Sequence, residues 1–177
     1  MRGASRKTAR RQQVAGLTML ETAIGVSIAG TLLCVAVPAF VRNLHASSFA
    51  EVTEGLGRLS EHAVSRAQRR PTEDAFPKSA PVTPEAPPRG HKEVDPPGTW
   101  GHPTWIALEF QATLDGTPHA FAYGFDSVRD PEESRFVAHA HADLDGDGQT
   151  STFSVRGRAK AGAAQAEPGM DVVGGLE

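Results

Sequence analysis

The sequence predicts an α+β fold in which one long N-terminal helix, apolar in its first half and amphipathic in its second, packs on a small antiparallel β-sheet. Three observations carry this expectation. An uncharged, mostly apolar run of twenty residues occupies 22–41. Phe49, Val52, Leu56, Leu59 and Ala63 then recur at alternating steps of three and four. From Ile106 onward, apolar and polar residues alternate in short runs separated by turn chemistry.

The helix comes first. Over 17–41 it would rise about 37 Å, enough to cross a hydrocarbon core of roughly 30 Å. Five basic residues (Arg2, Arg6, Lys7, Arg10, Arg11) and no acidic one precede Gly16. The positive-inside rule keeps such a leader in the cytoplasm and places everything after about residue 45 across the membrane. The 49–63 stripe, with Glu51, Glu54, Arg58, Glu61, His62 and Arg66 on the other faces, continues the span as one helix to near Arg70, just before Pro71. Pro38 lies inside the span, where a missing backbone donor bends or loosens the helix.

Residues 71–103 hold nine prolines among charged and small residues, a stretch that supports neither a regular helix nor an interior strand. It reads as an irregular surface loop, partly extended. Four alternating runs follow: Ile106, Leu108 and Phe110; Phe121, Tyr123 and Phe125; Phe136, Ala138, Ala140 and Ala142; Phe153 and Val155. Turn residues at Asp115-Gly116, Asp130-Pro131 and Asp145-Gly146-Asp147-Gly148 separate them, which predicts an antiparallel meander whose apolar face the helix stripe covers. The folded domain is expected over 45–157. The Ala- and Gly-rich tail 158–177 is expected to be poorly ordered.

Charge narrows the function classes. Without residues 1–16 the net charge of −3 becomes −8, because five cations leave with the leader, so no basic surface for nucleic acid is indicated. The single cysteine, Cys34, falls inside the span as a small apolar residue. No intrachain disulfide is possible.

One residue breaks the apolar pattern. Glu21 stands at the head of the run, and a carboxylate in hydrocarbon costs on the order of 2.5–3.5 kcal/mol, so it is retained for a partner or a function. The basic leader, Gly16, an apolar Leu17, Glu21 as the fifth residue after the glycine, a long apolar helix and Pro38 as the twenty-second together resemble a type IV prepilin or pseudopilin. The resemblance covers roughly residues 2–65. The family normally carries Phe or Met directly after the glycine, and Leu17 is a conservative departure. An ordinary secretory signal cut near Val35-Ala36-Val37 is the plainer alternative, and it leaves Glu21 without a role.

The resemblance implies that a prepilin peptidase cuts after Gly16 and methylates the new amino terminus at Leu17. It further implies that an inner-membrane assembly platform extracts the chain into a helical polymer of homologous subunits, driven by a cytoplasmic motor. Glu21 would pair with the amino terminus of a neighbouring subunit, and Pro38 would let the span adapt its curvature. Before assembly the chain would sit in the inner membrane with its C-terminal domain in the periplasm. Many major pilins of this resemblance carry a disulfide in the C-terminal region, so its absence here points toward a pseudopilin or minor pilin.

A second loaded feature lies at 143–151. Asp143, Asp145 and Asp147 occupy relative positions one, three and five, followed by Gly148, Gln149 and Ser151. Such spacing lets hard oxygens converge on one cation, and calcium is the metal implied. Ser154 stands where an EF-hand-like loop has its bidentate glutamate, and the flanks are strands. Calcium loops between strands occur in the major pseudopilins of type II secretion, which this chain resembles in lacking a disulfide. The competing reading is an acidic turn chosen for backbone geometry.

His139 and His141 share a strand face with Asp143, and two imidazoles with a carboxylate suit zinc. They fall opposite the Phe136 and Ala138 face, however, and read as solvent-directed. No phosphate loop, nucleophile elbow or cysteine pair accompanies them, so a zinc hydrolase ranks last and no enzymatic activity is expected. The expected function is therefore structural, with a membrane-anchored calcium-binding or adhesive protein that never polymerises as the alternative.

Overall fold

The computed structural model describes residues 17–113 and 116–174, the side chains of 41–45 excepted. Two compact units divide the chain, Met1–Arg42 and Asn43–Glu177. The fold is α+β, with an N-terminal apolar helix and a six-stranded antiparallel sheet. Helix α1 runs Met19–Ala67. Its apolar part, Met19–Phe40, has a mean hydropathy of 2.1, and none of it is buried among the described residues. It is the one described helix long and apolar enough to cross a membrane, a test of length and composition that a signal sequence also passes.

In the second unit, α1 supplies one wall of the core. Val52, Leu56, Leu59 and Ala63 are completely buried, while Phe49 is 41% exposed. The stripe therefore begins one step later than its periodicity indicates. Cover starts near Glu51, whose Oε1 accepts the backbone N–H of Ala120 at 2.9 Å and whose Oε2 pairs with Lys92. The helix stops at Ala67, three residues short of the expected Arg70, and a turn over 68–70 leads into Pro71. Arg66 secures the reversal by donating to the carbonyls of Asp74 (2.7 Å) and Ala75 (2.8 Å).

The sheet consists of β1 Ala80–Thr83, β2 Ala122–Val128, β3 Glu133–Ala142, β4 Ser151–Lys160, β5 Ala163–Ala166 and β6 Asp171–Val173. Its order is β1-β2-β3-β4-β5, with β6 also paired to β4. The central three strands form the expected meander. Along β3, Ser134, Phe136, Ala138, Ala140 and Ala142 face the core, the period of two that strand geometry dictates. Phe136 stacks on Phe125 at 5.4 Å and meets Phe76 edge-on at 4.8 Å. Space for its ring comes from Gly157 opposite it in register, where an added Cβ would overlap the ring.

Two expectations are corrected. Ile106, Leu108 and Phe110 do not form a strand: α2, Pro103–Ala107, occupies this place, capped by the His102 side chain, which accepts the N–H of Thr104 at 3.3 Å. Burial explains the choice. Trp105 and Leu108 are buried and Ile106 is 65% exposed, so the covered positions lie three apart rather than two. Pro103 at the first turn was the local signal for a helix.

The tail is the second correction, since β4 continues past 157 to Lys160 and two further strands follow. Ala161 and Gly162, at φ 50° and 80°, reverse the chain so that β5 pairs with Gly157 to Lys160. Small side chains concealed this from composition, but ladder hydrogen bonds come from the backbone and do not require large residues. Within 71–103 the expectation of no interior strand agrees with β1, which is an edge strand, and a short 3-10 turn at Thr72–Asp74 precedes it. Asp115 of the expected first turn lies outside the described residues.

Gly55 and Gly57 offer a direct check of the helix–sheet contact. A Cβ at Gly55 would overlap the hydroxyl of buried Tyr123, whereas one at Gly57 meets nothing within 4 Å. Gly57→Ala is expected to stabilise the full chain by about 1 kcal/mol through helix propensity. Gly55→Ala is expected to destabilise it by roughly 1–3 kcal/mol through overpacking. Urea unfolding in detergent measures both, and equal effects would contradict the contact.

Candidate functional site

The N-terminal motif divides at the edge of the described residues. Gly16 and the basic leader lie outside them, while Leu17, Glu21 and Pro38 lie within. Leu17 is 80% exposed, and Pro38 is contained in the helical run of α1. Glu21 has a local role that its apolar context did not reveal. Its Oε2 accepts both the backbone N–H and the hydroxyl of Thr18, each at 2.8 Å, and the Thr18 hydroxyl oxygen accepts the N–H of Glu21 at 3.3 Å. This is a capping box, which satisfies orphan donors at the start of α1 and places an acid near the positive end of the helix dipole. The Thr-x-x-Glu spacing ahead of an apolar run was the signal available for it.

The acidic loop joins β3 to β4. Asp143 is 2% exposed, and its Oδ1 and Oδ2 accept the N–H groups of Gly146 at 2.8 Å and Gly148 at 3.2 Å. Asp145 accepts the N–H of Asp147 at 3.1 Å, and Asp147 accepts that of Gln149 at 2.7 Å. These bonds to the second residue along the chain are the turn chemistry of the competing reading. Gly146 and Gly148, at φ 81° and 92°, take the conformations that the reversal requires. Gly90 braces the loop from the proline-rich segment by donating its N–H to the Asp143 carbonyl at 2.8 Å. No sequence signal pointed to that brace.

The same geometry meets the size requirement of a hard cation. One carboxylate oxygen from each of Asp143, Asp145 and Asp147 lies within 4.8 Å of the others. Oxygens that share a calcium ion at about 2.3–2.6 Å stand up to about 5 Å apart, so the three fit one coordination sphere. The oxygens that accept backbone N–H groups keep a second lone pair for metal. Gln149 spends its amide N–H on Asp147 at 2.9 Å, and Ser151 is a buried residue at the start of β4, opposite Ala142.

The histidines are brought together, but apart from this group. Their rings meet edge-on at 5.1 Å. His141 Nδ1 lies 2.9 Å from the Thr152 hydroxyl, and His139 Nδ1 lies 3.7 Å from Asp126. Neither histidine belongs to the candidate ligand cluster among the described residues, and Asp143 turns into its own loop. The expected solvent exposure is also corrected: the His139 side chain is 17% exposed because it lies across Gly124, where a Cβ would overlap the ring.

Burial lowers the pKa of His139, with Asp126 acting weakly against it, so the folded chain holds a neutral ring where the unfolded chain binds a proton below about pH 6.5. This contribution to stability is present above that value and is lost as pH falls from it through the lower folded pKa. Melting temperature is therefore expected to rise from about pH 5 to 7, and His139→Gln is expected to flatten that limb. An unchanged slope in the variant would contradict the assignment. Comparisons of the chain with protein-family models, curated proteins and solved structures find no match.

Proposed function

We propose that the chain is a structural subunit of a type IV pilus-like or type II secretion-like filament, processed by a prepilin peptidase after Gly16 and assembled through its N-terminal helix. The carrying observation is Glu21 as the single acid of an apolar helix, Met19–Phe40, no part of which is buried among the described residues. Such a surface requires apolar surroundings, supplied first by lipid and then by the helices of neighbouring subunits. The capping box uses only Oε2 of Glu21. In the filament the other oxygen pairs with the methylated amino terminus of a neighbour's Leu17. Each charge is costly when buried alone, so the pairing sets the axial register.

In this proposal the chain sits in the inner membrane with its N-terminus in the cytoplasm and its domain in the periplasm until extraction. Its partners are homologous subunits, the peptidase and an inner-membrane assembly platform, and nucleic acid is not among them. Packing of the α1 stripe on the sheet is the pilin-like element of the proposal, and Pro38 adjusts the curvature of the span. The chain performs no catalysis.

The capping box favours a second reading, an anchored calcium-binding or adhesive protein that does not polymerise, because it gives Glu21 a purely local role. Calcium suits either reading. Asp143, Asp145 and Asp147 would hold it, and when bound it would supply a cross-link between β3 and β4 in a chain without an intrachain disulfide.

Processing and assembly separate the two. The mature chain is expected to begin at Leu17 with a methylated amine, and Gly16→Val is expected to retain the leader, both read by N-terminal sequencing and mass spectrometry. Glu21→Leu should insert in the membrane at least as well as the wild type yet yield few filaments in cells lacking the wild-type chain. Normal filament yield would leave the capping role alone.

For calcium, the melting temperature of the full chain is expected to rise on addition of the ion and to fall in chelator. Calcium at a hundred times its dissociation constant contributes about 2.7 kcal/mol. Asp145→Ala should lose most of the difference between the two buffers. Equal melting temperatures in both would leave only the acidic turn.

A further inference from the structure

The last turns of α1 face the end of α2 across a cleft of about 410 Å³, lined by His62, Arg66, Arg69 and Arg70 from one helix and by Leu108 and Glu109 from the other. The cations of this corner are unequally neutralised. Asp74 alone is shared by Arg66, Arg70 and Arg129. Burial lowers the pKa of Arg66; Asp74 opposes the shift, while Arg70 and Arg129 add to it. Arg69 makes no ion pair among the described residues. His62 is fixed through Nδ1, 2.7 Å from the Leu108 carbonyl oxygen, which leaves Nε2 as the ring atom for a ligand.

Glu109 is the independent observation. It holds a φ of 49° just beyond α2, where the N–H of Phe110 reaches the Trp105 carbonyl at 3.0 Å and the N–H of Glu109 reaches that of Ile106 at 3.1 Å. Glycine is preferred at this left-handed position of a helix end, and a side chain with a Cβ is strained there. The carboxylate of Glu109 has no ion pair among the described residues, although it shares the cleft with three guanidinium groups. A strained acid and a surplus of positive charge thus border one cavity without closing on each other.

We propose that this cleft binds a small phosphate monoester bearing hydroxyl groups, a sugar or polyol phosphate, with the phosphate against Arg66, Arg69 and Arg70 and hydroxyl groups donating to Glu109 and to Nε2 of His62. Guanidinium forks match phosphate oxygens, and several of them suit a dianion better than a single carboxylate. The positive surplus disfavours an ammonium on the ligand, so the donor facing Glu109 is a neutral hydroxyl. The volume falls in the range of small-ligand pockets, roughly 300–1,000 Å³.

The test is calorimetric titration of the full chain, in a polyoxyethylene detergent that carries no sugar, with glucose 6-phosphate, inorganic phosphate and glucose. Glucose 6-phosphate should bind saturably, phosphate about tenfold more weakly, and glucose not at all. Arg69→Gln should weaken both phosphates by about tenfold. Glu109→Gly should raise the melting temperature by relieving the left-handed glutamate, keep phosphate binding, and reduce the advantage of the sugar phosphate. Absence of saturable binding by either phosphate, equal affinities for the two in the wild type, or affinities unchanged in Arg69→Gln would overturn the proposal.

Discussion

The backbone of α1 comes close enough to β2 at Gly55 that the Tyr123 hydroxyl fills the place of a side chain. Much of the folded unit depends on this approach. It sets the depth at which Val52, Leu56 and Leu59 enter the core, and it brings Tyr123 into the aromatic group of Trp100, Trp105 and Phe110. Wider spacing would leave voids around those rings, and interiors tolerate voids poorly. Small residues serve the same end on the sheet, where Ala138, Ala140 and Gly157 lie beside the rings of Phe136 and Phe153.

Polar side chains of α1 organise the region that has little regular structure. Glu51 holds Ala120 and Lys92, Arg58 donates to the carbonyls of Gln111 and Ala112, His62 reaches Leu108, and Arg66 takes those of Asp74 and Ala75. These residues recur at roughly one- to two-turn intervals along the same helix that buries the apolar stripe. Backbone groups that no ladder satisfies are thereby paired with side chains. Most of the polar positions on the other faces of the amphipathic helix are, in the fold, its fastenings to the intervening chain.

The parts legible in the sequence were those whose side chains report their backbone. The β3 run shows alternation because large and small apolar residues face one way, and the 52–63 stripe shows helical period for the same reason. Ile106 misled because an exposed isoleucine beside buried Trp105 and Leu108 mimics alternation. β5 was hidden because its alanines carry almost no pattern, and β6 because three residues, Asp171–Val173, are too few to show alternation, although both backbones pair normally. At the acidic loop the spacing of the aspartates was readable, but the depth of Asp143 and the brace from Gly90 depend on a segment more than fifty residues away. The partnership of Thr18 and Glu21 was local and legible, yet the cost of an acid in an apolar run drew the reading toward a distant partner.

The way the sheet ends has a consequence for how this domain meets other chains. β5 and β6 lie end to end along β4, against Gly157 to Lys160 and Thr152 to Ser154, so the outer edge there is broken into pieces of four and three residues. The opposite edge, β1, is also four residues long and contains Pro81. Neither edge offers an uninterrupted row of free amides and carbonyls, the template on which foreign strands add and aggregates grow. In the proposed filament, where the domain would be crowded beside its own copies, such edges would protect it from fusing with them through backbone pairing and leave its associations to side chains, whose strength and reversibility each surface residue sets.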